Sequence, residues 1–130
     1  MKSTVCEILN DLWTISNDIA DIMQSKINKF GKSRKNKKEK NQMLVAVVGT
    51  YSLLTICDYL AYKLCKVNDD AYNDIEDALT PVNVARATTL RFFERGKYNT
   101  AKEIIETASC IRGAALHLRS IVEEAMDKWC

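Results

Sequence analysis

The sequence predicts an all-α fold, a single-domain antiparallel bundle of four to five helices with a basic loop between the first two. Three observations lead there. Four Gly and one Pro in 130 residues leave too few turn signals for an all-β chain. Apolar residues return at steps of three and four through most of the sequence, the period of a helix with one face turned inward. A chain of this length, 47% hydrophobic and 28% charged, is sized for one core and too short for two.

The first helix is predicted over 4–29. Thr4 and Glu7 stand at capping-box spacing. Val5, Ile8, Leu9, Leu12, Ser16, Ile19, Met23 and Ile27 then mark one face, opposite an acidic face of Glu7, Asp11, Asp18 and Asp21. Phe30-Gly31-Lys32-Ser33 ends the pattern, and a basic connecting loop is expected at about 30–41, or, from Arg34 on, a weakly helical extension of the next element. The second helix, about 41–66, is apolar nearly all round in its first half. It therefore reads as the central element, buried on several sides.

Asn68-Asp69-Asp70 then caps a short acidic helix through Leu79, and Thr80-Pro81 is read as a restart with Thr as cap. A further helix over 81–95 stops at Gly96. The last, about 98–129, opens on Thr100 and Glu103, again at capping-box spacing. Its seam of Ala101, Ile104, Ala108, Ile111, Ala115, Leu118, Val122, Ala125 and Trp129 alternates steps of three and four. Such a seam packs along another helix, either inside the chain or across a homodimer or other protein interface.

Cys6, Cys57, Cys65, Cys110 and Cys130 are odd in number, widely spread and without a Cys-x-x-Cys pair. They read as apolar thiols in a reducing cytoplasm, with neither a disulfide framework nor a metal site expected. The N-terminal residues carry no secretory pattern. A single histidine and four scattered glycines offer no catalytic triad and no phosphate loop, so no cofactor is expected and the chain reads as leaning away from an enzyme.

Two local resemblances add to this. Gly96-Lys97-Tyr98-Asn99-Thr100-Ala101, with Ile105 and Ala108 beyond and Phe92 before, resembles the turn and second helix of a tetratricopeptide repeat, which implies a helical hairpin. Arg112-Gly113-Ala114-Ala115-Leu116-His117 is an Arg-x4-His string that resembles the motif of HEPN domains, small helical proteins that often act as RNases. That resemblance implies Arg112 as a phosphate anchor and His117 as a proton shuttle, brought together across a dimer.

The sharpest feature is a block of charge. Lys26, Lys29, Lys32, Arg34, Lys35, Lys37, Lys38 and Lys40 are opposed within that stretch by Glu39 alone. This is a local +7 in a chain of net charge +2, which leaves the other 115 residues at −5. It reads as a solvated loop, as a nucleic-acid contact, or as the flank of a membrane span formed by Met43 to Leu64. Asp58, within that stretch, argues against a span, and a membrane partner is not expected. The functional expectation is a non-enzymatic helical interaction subunit that binds RNA or a ribonucleoprotein complex through Lys29, Lys32, Arg34, Lys35, Lys37, Lys38 and Lys40. The HEPN-like RNase and a helical protein–protein interaction module are the alternatives.

Overall fold

The computed structural model describes residues 2–32 and 37–130, with side chains from 4 to 30 and from 37 onward. The protein is all-α. Its order is α1 (Lys2–Lys32), α2 (Lys37–Val67), α3 (Asp69–Ile75), a 3₁₀ turn (Glu76–Ala78), α4 (Leu79–Arg95), a second 3₁₀ turn (Gly96–Tyr98) and α5 (Ala101–Trp129).

Several boundaries differ from the sequence reading, each for a local reason. α1 begins at Lys2, so Thr4 and Glu7 lie inside the helix and do not frame its start. The expected connection at 30–41 is taken by helix from both sides. Phe30 is buried and holds the end of α1 against the core through Gly31, whose cost in a helix is only about 1 kcal/mol. Lys37-Lys38-Glu39-Lys40 are good helix formers, and Glu39 suits the positive end of the α2 dipole. Thr80 is not a cap either. The 3₁₀ turn runs directly into α4 from Ala78, which has no side-chain cap bond, because Ala78 and Leu79 are both buried and leave no break between elements. Pro81 falls within the first turn of α4, where backbone N–H groups have no intrahelical partner and its missing donor is harmless.

The start of α5 is as expected. Thr100 Oγ1 accepts from the Glu103 N–H at 3.1 Å, while the Thr100 N–H donates to Glu103 Oε1 at 3.2 Å. The α4–α5 hairpin is present, and Gly96 at its bend has φ +49°, a conformation that L side chains adopt rarely. Asn99 seals the bend. It is buried, and its side-chain amide donates to the carbonyls of Phe92 at 2.8 Å and Gly96 at 2.7 Å, adding to the backbone N–H bonds that these carbonyls accept from Gly96 and Asn99.

The most extensive packing is between α1 and α5. Three cross-links set their register: Cys6 to Cys130, Trp13 Nε1 to Glu123 Oε1 at 2.7 Å, and Arg119 Nη1 to Asn17 Oδ1 at 2.8 Å. Each advance along α1 is matched by an equal retreat along α5, so the two helices run antiparallel. Leu9, Leu12, Ile19 and Met23 of α1 and Ile104, Ile111 and Leu118 of α5 are fully buried in the shared core. The seam of α5 is thereby covered inside the chain. Ile104 to Ala125 are buried along it, with Ala101 and Trp129 half-buried at its ends.

This corrects the expected place of α2. The spine is the α1–α5 pair, and α2 packs mainly on α1 and α4, touching α5 little. Met43, Val47, Leu54, Cys57 and Leu64 point inward, but only a third of its most apolar window is buried. A helix that is apolar all round has thus been left with one side uncovered.

The cysteines also depart from expectation. Cys6 and Cys130 form a disulfide with Cα atoms 5.4 Å apart, because antiparallel α1 and α5 bring the two ends of the sequence together. Of the three free thiols only Cys57 is buried, while Cys65 and Cys110 are half-exposed. Wide spacing in sequence concealed the pair, and the cysteines give no ground for assigning a reducing compartment.

Candidate polyanion interface

The last turns of α1 carry Lys26 and Lys29 on its outer side, and the first turns of α2 carry Lys37, Lys38 and Lys40. Because the two helices are consecutive and pack together, these side chains gather at one end of the molecule. Lys40 Nζ donates to the Lys97 carbonyl at 3.3 Å, which places the α4–α5 turn beside them. Among the described residues no ion pair engages Lys26, Lys29 or Lys37. Of the expected contact residues, Arg34 and Lys35 and the side chain of Lys32 lie outside the described residues.

A hollow of about 1080 Å³ opens between α1 and α2 next to this basic end. Its polar end is formed by Lys26, Lys29, Lys38, Asn41 and Gln42. Its floor continues along Val45, Ala46 and Leu53 of α2, with Ile22 of α1 opposite. Two smaller hollows of about 350 and 210 Å³ follow on the other side of α2, where Val45 and Val48 meet Leu90 and Phe93 of α4. No carboxylate lines any of these three. Val45 is 72% exposed and Phe93 63%, unusually open for such side chains.

The open side of α2 is itself periodic. Val45, Val48, Ser52, Ile56 and Tyr59 are all exposed and follow at steps of three and four, with Lys38 before them and Lys63 and Lys66 after. Lys63 Nζ lies 5.9 Å from the Tyr59 ring centre, and Lys66 Nζ lies 5.3 Å from that of Tyr62. Asp58 is turned to the α4 side, paired with Arg86 at 3.5 Å. By length and composition α2 is the one described helix able to cross a membrane.

The structure gives the Arg112–His117 pair no comparable setting. Five residues of helix put the two side chains about 140° apart around α5. Arg112 is half-buried, His117 is exposed, and among the described residues neither takes part in a hydrogen bond or ion pair that would hold it for catalysis. Burial pushes the Cys57 thiol up to about 12, with Asp58 adding to it, so this thiol stays protonated and inert. Cys65 is shifted the same way, by desolvation first and by its hydrogen bond to Asp69 second. No group of three or more His, Cys, Asp or Glu able to hold a metal ion occurs among the described residues.

Sequence reasoning found the lysines from their density but missed the hollow and the open stripe. The sequence signal for the stripe is the continuous apolarity of α2, which a buried helix would show equally. No family model, curated protein or solved structure matches the chain.

Proposed function

We propose that this chain is a non-enzymatic binding module, a single antiparallel bundle whose basic end holds the phosphates of a nucleic acid. The observation that carries the reading is the convergence of lysines from the end of α1 and the start of α2, with Lys26, Lys29 and Lys37 in no ion pair among the described residues. Lysines already neutralised by carboxylates have little left for a ligand, and these are not. Lys38 and Lys40 extend the same end, Lys40 already seated against the α4–α5 turn.

Contacts of this kind position a phosphate backbone and read no sequence. Binding to a single-stranded RNA oligonucleotide, followed by fluorescence anisotropy, is expected to weaken on the order of 10²-fold between 50 and 200 mM salt if about six phosphates are engaged. Replacing Lys26, Lys29 and Lys37 together by Ser is expected to flatten that salt dependence and lower affinity for all sequences alike. Binding that survives the triple replacement, or is indifferent to salt, overturns the reading.

A further inference from the structure

The apolar middle of the α2 stripe, Val45 to Tyr59, is left without a role by the nucleic-acid reading. Val45 borders hollows on both sides of α2, and Val48 borders both of those toward α4. Ile22, Val45, Val48, Leu90 and Phe93 therefore make one apolar face across three helices, larger than scattered exposed residues would produce.

Charge selects what covers it. The stripe has lysine at both ends, Lys38 at one and Lys63 and Lys66 at the other. A second copy of the chain laid along it would bring lysine onto lysine whether the two α2 helices ran parallel or antiparallel. A nucleic acid would satisfy the lysines and leave the apolar middle in water. An anionic bilayer satisfies both: hydrocarbon meets Val45, Val48 and Phe93, tyrosine rings sit at the interface, and lysines reach the headgroup phosphates on flexible stems. The inner side of α2 stays committed to the protein core through Met43, Val47, Leu54 and Leu64, so the helix lies on the surface and does not span it.

We propose that this chain docks on an anionic lipid bilayer, with the outer side of α2 in the plane of the interface and Leu90 and Phe93 of α4 beside it. The stripe from Lys38 to Lys63 is about 38 Å long at 1.5 Å per residue, so its cationic ends grip phosphates well apart from one another. This goes beyond phosphate binding by the basic end, because it requires the apolar face as well as the charge.

The test is flotation of the purified chain with vesicles of phosphatidylglycerol or of phosphatidylcholine. Partition is expected to be at least about tenfold higher on the anionic vesicles, since apolar contact and electrostatic attraction act together. Combined Val48→Gln, Leu90→Gln and Phe93→Gln, none of which lines the hollow beside the lysines, is expected to lower partition at least about tenfold while leaving RNA affinity unchanged, which separates this proposal from the nucleic-acid reading. Equal partition on neutral vesicles, or partition unaffected by the three Gln, overturns it. So does a concentration-dependent dimer that the same substitutions abolish, which would identify a second copy as the occupant. The single variant Val45→Trp, which keeps the site apolar, is expected to show a blue shift of its emission on anionic vesicles that the unsubstituted chain lacks. Absence of that shift counts equally against the proposal.

Discussion

Two apolar stripes of the same period meet different fates in this molecule. That of α5, from Ile104 to Ala125, is covered by α1, whereas that of α2, from Val45 to Tyr59, faces outward. Periodicity alone does not distinguish them. What differs is what surrounds them. The α5 seam contains alanines that admit a close neighbour, and its flanks carry groups with partners across the interface, Arg119 to Asn17 and Glu123 to Trp13. The α2 stripe carries only lysines at its ends, and no carboxylate lines the hollows beside it. A stripe becomes core when its borders find complementary borders on a neighbouring helix, as those of α5 do on α1.

The contrast is sharpest in the response to truncation. Ile111→Ala in the covered seam is expected to cost about 2–5 kcal/mol in chemical denaturation, by lost burial and the cavity left behind. Ile56→Ala on the open stripe, 42% exposed, is expected to stay within about 0.5 kcal/mol. Similar losses at both sites would mean that the α2 stripe is covered after all.

A second comparison uses the covalent tie. The Cys6–Cys130 disulfide, spanning 124 residues, fastens α1 to α5 and does not touch α2. Its reduction, or Cys6→Ser, is expected to lower stability by about 2–4 kcal/mol, mainly by releasing the constraint on the unfolded chain. Binding at the basic end should persist wherever the chain stays folded, so thermal melts with and without reductant, run beside anisotropy, check both halves of the statement.

The smallest expected effect is that of acid. The Glu103 carboxyl is held below its usual 4.5, chiefly by its hydrogen bond with the Thr100 backbone, with the Thr100 hydroxyl and Arg95 contributing. Asp74 is held below its usual 3.8, first by the hydrogen bond from Trp129 and then by Lys128. A carboxylate lowered in the folded state adds stability that is present above its unfolded value and is lost as pH falls through its folded one. Denaturation midpoints are therefore expected to fall as pH drops below about 4.5, with Asp74→Asn removing part of the slope. The two groups anchor opposite ends of α5.

Much of the fold was legible in advance. The helices, the α5 seam, its capping box and the α4–α5 hairpin all follow from spacing and local chemistry. What was not legible was long-range. Apolarity on every side of α2 is compatible with a buried centre or with a helix half left open, and only its neighbours decide which. Cys6 and Cys130 become partners only once α1 and α5 are known to be antiparallel. Asn99 looked like an ordinary turn residue until the carbonyls of Phe92 and Gly96 were found within its reach. For the candidate site, charge density pointed to the lysines, but the apolar floor beside them arises from two helices that no local pattern joins.

The meeting of the two sequence ends also has a practical value. Cys6 and Lys26 are twenty residues apart on one helix, so the disulfide lies about 30 Å from the first of the basic residues. A surface handle attached after Cys130 would thus hold the protein by one pole and offer the lysine pole to solution. Immobilised in that orientation, the molecules present the lysine pole to oligonucleotides away from the attachment.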